Sequence, residues 1–106
     1  MKQEFFSQHW VDGNGNPAGG VSSGLGFAVS WQNGPLAEGA TRKEPNGCFV
    51  ETLIVAAIDR ITFYQGSRFN CRENALALEH LKLALGSLEA RTANRELRGV
   101  EGTHKV

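Results

Sequence analysis

The sequence predicts an α+β protein: an N-terminal antiparallel β-hairpin or small sheet, then a long antiparallel two-helix hairpin, assembled as an oligomer. Three observations carry this expectation. A glycine-rich half gives way near residue 46 to a half with little glycine. A period-two apolar alternation marks the first half, and apolar spacing by three and four marks the second. At 106 residues the chain has the size of one domain, with a β-rich segment over 1–46 and a helical hairpin with a short tail over 47–106.

In the first half a strand is expected from Phe5 to Val11. Asp12-Gly13-Asn14-Gly15-Asn16-Pro17-Ala18-Gly19-Gly20 is rich in residues that tolerate positive φ or cannot donate to a ladder, so it reads as a loop. Leu25, Phe27, Val29 and Trp31 alternate with Gly26, Ala28, Ser30 and Gln32, as in a strand with one buried face. The two strands would form a long-looped hairpin. Asn33-Gly34-Pro35 ends the second strand, and Pro45-Asn46-Gly47 marks the turn before the helical half.

From Phe49 to Gln65, Val50, Leu53, Ile54, Ala57, Ile58 and Ile61 fall on one face of a helix. Gly66-Ser67-Arg68 breaks it. Asn70 with Glu73 three residues on resembles a capping box, opening a second helix at Cys71 that runs to Arg98 and stops at an αL Gly99. So short a connection makes the helices antiparallel neighbours. The second helix carries two apolar stripes: Ala75, Leu78, Leu81, Leu85 and Leu88 on one, Leu76, Leu83, Ala90 and Leu97 on the other. One partner helix covers only one of them, so the other must meet the β element or, as we favour, a second copy of the chain.

Composition narrows the functional classes. Eleven basic and eleven acidic residues cancel, leaving no global field to draw the protein onto duplex nucleic acid or an anionic membrane. No stretch is long enough for a membrane span, and no signal peptide is legible at the N-terminus. Cys48 and Cys71 lack metal-ligand spacing and lie in apolar runs, which predicts buried, reduced thiols and a soluble intracellular protein. His9, His80 and His104 are scattered and form no set with a cysteine, serine or carboxylate, so no catalytic or metal residue is assigned. The expectation is binding rather than catalysis.

Arg91, Arg95 and Arg98, spaced by four and three, project from one helix face. They form either an anion site suited to bidentate phosphate contacts or a basic last turn that favours the helix dipole. Asn74, one turn into the second helix, could read a base edge or ribose hydroxyl, or simply face solvent. Phe63, Tyr64, Trp31 and Trp10 offer rings for purine stacking, with Phe27 and Trp31 the first choices for the core.

Four segments carry a resemblance: Trp31-Gln32-Asn33-Gly34-Pro35-Leu36; Arg42-Lys43-Glu44-Pro45-Asn46-Gly47; Cys71-Arg72-Glu73-Asn74-Ala75; and the close, Arg91-Thr92-Ala93-Asn94-Arg95-Glu96-Leu97-Arg98-Gly99-Val100-Glu101-Gly102-Thr103-His104. From about Gly24 to the C-terminus the chain resembles the phage Thoeris anti-defence sponges, a family that shares its helical hairpin with the anti-CBASS sponges. The resemblance implies a non-enzymatic protein, without cofactor, in the cytoplasm of the infected bacterial host. It would sequester the immune signal glycocyclic ADP-ribose without cleaving it. Some relatives also bind CBASS cyclic oligonucleotides at a separate site. The resemblance places ligand contacts at Asn74, Arg91 and Arg95, an adenine contact at Tyr64 or Phe63, and a weaker one at Arg42. Asn74 and Arg91 lie about 25 Å apart along one helix at 1.5 Å per residue, so one small ligand touching both must lie between two chains. Two rival readings stand beside it: a hydrolase of the same signal, and a structural oligomer in which the arginines are a solvated face.

Overall fold

The computed structural model describes residues 3–38 and 40–106. It has a three-stranded antiparallel sheet of β1 (Phe5–Val11), β2 (Pro17–Gly24) and β3 (Phe27–Trp31), in that spatial order, and a two-stranded ribbon of β4 (Ala37–Glu38) and β5 (Thr41–Arg42). Two helices follow, α1 (Val50–Gln65) and α2 (Arg72–Leu97). The α+β class is as expected. The chain divides into two compact units, one running to Phe49 and including Val100–Val106, the other spanning Val50–Gly99. The closing tail therefore belongs to the β unit.

In the β unit, β1 matches its expected bounds, but the segment after it is no long loop. The connection closes within Asp12–Asn16, where the Asp12 carboxylate accepts the N–H groups of Asn14 (2.8 Å) and Asn16 (3.0 Å) and Gly15 takes a φ of 80°. Pro17 stands at the first position of β2, where a missing N–H is tolerated. Gly20 sits where the pairing register shifts, and a Cβ there would collide with the Gln8 carbonyl. The glycines that suggested a loop thus allow a bulged central strand, and the two expected strands each pair with β2 rather than with each other. Leu25 is another correction: with Gly26 (φ 71°) it forms the β2–β3 turn and is 98% exposed. Along β3 the alternation holds, with Phe27, Val29 and Trp31 half-buried and Ala28 and Ser30 exposed.

A polar seam crosses this sheet. Ser22 is buried, receives the Trp31 indole N–H at 2.8 Å and lies 3.0 Å from the Ser7 hydroxyl, which is 3.0 Å from His9 Nε2. Beyond β3, the Cys48 N–H donates to the Ser30 carbonyl (2.8 Å) and its carbonyl accepts from Gln32 N–H (3.0 Å). The tail is fixed within the same unit: the Ala37 N–H donates to the Gly102 carbonyl (2.8 Å), and Glu101 makes a bidentate pair with Arg42 at 2.6 and 3.1 Å. Asn16 Nδ2 lies 3.3 Å from His104 Nδ1.

In the helical unit, α1 ends where Gly66 breaks the pattern, and Ser67 Oγ donates to the Tyr64 carbonyl at 2.5 Å. Gln65 then clamps the turn: its Oε1 accepts the Cys71 N–H and its Nε2 donates to the Cys71 carbonyl, both at 3.0 Å. The expected capping box does not form. Cys71 is the N-cap residue, without a side-chain bond, and Asn70 stands one residue outside it, its side-chain N–H donating to the Ser67 carbonyl at 3.0 Å. Cys71 is also exposed rather than buried, being part of the turn, while Cys48 is half-buried; both thiols are free. Gly99 ends α2 with a φ of 70° as expected. The half-buried positions Leu53, Ile54, Ala57, Ile58 and Ile61 of α1 and Leu78, Leu81, Leu85 and Leu88 of α2 are the facing stripes. No residue of either helix is fully buried.

Candidate ligand site on the helical hairpin

The chemistry-bearing residues of the hairpin fall into two groups set by helix length. α1 has 16 residues and α2 has 26, or about 24 and 39 Å at 1.5 Å per residue. Antiparallel packing from a shared turn therefore leaves the last ten or so residues of α2 without α1 beside them. Phe63 and Tyr64, in the last turn of α1, and Asn74, in the first turn of α2, lie at the turn end. Arg91 and Arg95 lie on the overhang. One chain thus brings the rings and the amide to one end of the hairpin and leaves the arginines at the other.

At the turn end the rings are available. Phe63 is 65% and Tyr64 40% exposed, with centroids 6.2 Å apart and planes at 60°. Arg60, one turn back, holds its guanidinium carbon 5.1 Å from the Phe63 centroid and 4.9 Å from that of Tyr64, and its Nε–H donates to the Tyr64 hydroxyl at 3.1 Å. Sequence reasoning missed Arg60, although its spacing of three and four to the two aromatics was the available signal. Asn74 is half-buried. A second cation–ring contact, Arg68 over Phe69 at 4.8 Å, lies in the connecting turn.

On the overhang, Arg91 is exposed and has no hydrogen-bonding or ionic partner among the described residues, while Arg95 is half-buried. Arg98, the third of the stripe, donates from Nε to Asn94 Oδ1 at 2.9 Å. Arg42 differs from these three, since it lies in the β unit and both its outer nitrogens face Glu101. A shallow hollow of about 350 Å³ on the β unit is lined by Glu4, Phe5, Phe6, Ser23, Gly24 and Leu25. Its charged side chain is a carboxylate, which disfavours a phosphate-bearing ligand. Among the described residues there is no group of three His, Cys, Asp or Glu placed to hold a metal ion, and no helix long and apolar enough to cross a membrane.

Residues 27–93, from β3 through most of α2, match the family model of the Acb2/Tad1 hairpin domain. The chain is also similar to the protein named Thoeris anti-defense 1 of Bacillus phage SBSphiJ7, at 49% identity over 77 residues. That alignment takes in 73% of this chain and 51% of the relative, so the chain spans about half the length of the curated relative it matches.

Proposed function

Since this chain belongs to the Acb2/Tad1 hairpin-domain family, we propose that it is a phage anti-defence protein that suppresses Thoeris immunity by binding glycocyclic ADP-ribose and holding it uncleaved. The observation that carries this reading is the split of the candidate residues between the two ends of a hairpin that buries no side chain completely. Such a hairpin has apolar surface to spare. A second copy laid antiparallel along α2 sets the Arg91 and Arg95 overhang of one chain beside the Phe63, Tyr64 and Asn74 end of the other. Two identical pockets result, one on each side of the two-fold axis.

The register of such a pair follows from the numbers of its residues. Asn74 falls opposite the Arg91–Arg95 segment when the helices cross near Leu83, which is 64% exposed. One turn on stands Gly86, where an added Cβ would meet nothing within the chain. A helix-interior glycine costs about 0.5–1 kcal/mol relative to alanine, and close approach of a second helix supplies a reason for it that the single chain lacks.

In this pocket the purine stacks on Tyr64 or Phe63, the Asn74 amide donates to or accepts from a base edge or ribose hydroxyl, and the two guanidinium groups clamp the pyrophosphate. Two charge-assisted contacts contribute about 3–6 kcal/mol, whereas nanomolar binding requires about 12. Stacking and enclosure supply the remainder. Sequestration demands such affinity because each pocket removes one molecule of signal and does not turn over.

Calorimetric titration of the purified protein with glycocyclic ADP-ribose, followed by heat release and chromatography of the ligand, tests the proposal. Saturable binding with recovery of intact ligand is expected. Recovery of an opened product identifies a hydrolase instead, and no heat of binding leaves the hairpin as a structural element.

A further inference from the structure

We propose that Arg60 is a third member of the base-stacking platform: it fixes both rings from one side and supplies the positive charge that selects an anionic ligand. This inference rests on the sequestration reading of the site. The contacts themselves do not.

One guanidinium group reaches two rings because residues three and four positions ahead on a helix flank the side chain behind them. Phe63 and Tyr64 open towards each other at 60°, and the Arg60 guanidinium carbon lies within about 5 Å of both centroids, inside the roughly 6 Å range of cation–π attraction. The Nε–H bond to the Tyr64 hydroxyl fixes the direction of approach as well as the distance. Arg60 is therefore an orienting residue for two aromatic side chains that both remain exposed on the helix surface.

Its remaining chemistry points to the kind of ligand. A surface arginine ordinarily meets a carboxylate, but the described partners of Arg60 are two π-faces and a phenol. Aromatic contacts leave its charge uncompensated. Of its five N–H donors one is used on Tyr64, and four remain. The guanidinium can cover only one face of each ring, and both rings keep accessible surface. A flat base thus has a ring face to stack on while its phosphate finds an unspent planar donor set beside it. That pairing of needs describes a nucleotide better than an uncharged aromatic or a simple phosphate.

The experiment compares Arg60→Ala, Arg60→Lys and Tyr64→Ala with the wild type in binding of glycocyclic ADP-ribose, and records the ring resonances of Tyr64, the single tyrosine of the chain. Arg60→Ala should weaken binding on the order of tenfold and flatten its salt dependence, with Tyr64 resonances moving towards those of a free tyrosine. Arg60→Lys should recover part of the affinity, because it keeps the charge and loses the plane. If Arg60→Ala binds as tightly as wild type while Tyr64→Ala is impaired, Arg60 is no part of the platform. Wild-type protein that ignores the ligand overturns the sequestration reading and this role of Arg60 together. Unmoved Tyr64 resonances in Arg60→Ala overturn the orienting role by themselves.

Discussion

Asp12 shows how one side chain converts a floppy-looking stretch into a defined turn. Its carboxylate accepts the N–H groups of Asn16 and Asn14, and those bonds, in that order, hold its pKa below the ordinary carboxylate value, with the charge of His104 adding a smaller pull. A depressed folded pKa means that the charged form is favoured by folding. The associated stability is present above the carboxyl's unfolded pKa and is lost as the pH falls through the lower, folded one. Asp12→Asn retains an acceptor oxygen for the turn but no longer titrates. Melting temperatures of wild type and Asp12→Asn should therefore converge as the solution is acidified below the usual carboxylate range, with wild type the more stable near neutrality. Curves that stay parallel over that range would remove Asp12 from the acid response.

At the level of elements, the second helix makes the sharper demand, because an exposed glycine in its middle has no use inside one chain. If Gly86 is the point of close approach between copies, Gly86→Ala loses assembly even though it gains roughly 0.5–1 kcal/mol of helix propensity. Light scattering should show a smaller species, or a dissociation constant raised at least severalfold. A variant that melts higher with its mass unchanged would place the interface elsewhere. The helices themselves were legible, α1 within a residue and the Gly99 stop at its residue, because periods of three and four extend over many turns. The β half was harder to read. Gly19 and Gly20 look alike in a loop and in a bulged strand, and only the closeness of the Gln8 carbonyl decides between them. Local choices with near-equal alternatives were also misjudged: Asn70 could cap α2 but bonds Ser67, and Leu25 continues the alternation but occupies a turn. In the candidate site, Phe63, Tyr64, Asn74, Arg91 and Arg95 could be named from residue type, spacing and resemblance. Arg60 was missed: its spacing of three and four to Phe63 and Tyr64 is visible in the sequence, but where its guanidinium comes to rest is not. Arg42 is matched by Glu101, a partner fifty-nine residues away that no local pattern indicates.

For the whole molecule, the separation of rings and amide from arginines turns the question of function into one of subunit composition. If each pocket takes Asn74 from one chain and Arg91 with Arg95 from the other, Asn74→Ala and Arg95→Ala homodimers each carry two damaged pockets. In a mixed dimer the damage collects on one side: the first pocket receives both changes, and the second receives the intact Asn74 of one chain and the intact Arg95 of the other. Each homodimer should lose roughly ten- to a hundredfold in affinity if the lost contact is worth about 1.5–3 kcal/mol. The mixed species should regain one tight site per dimer, half the wild-type stoichiometry at wild-type affinity. A site contained in a single chain behaves differently, because every pocket then carries one change and mixing restores nothing. Co-expression with two affinity tags isolates the mixed species, and counting tight sites by calorimetry separates the outcomes. Half-stoichiometric tight binding places the ligand between two chains, and uniformly weak binding in the mixture confines it to one.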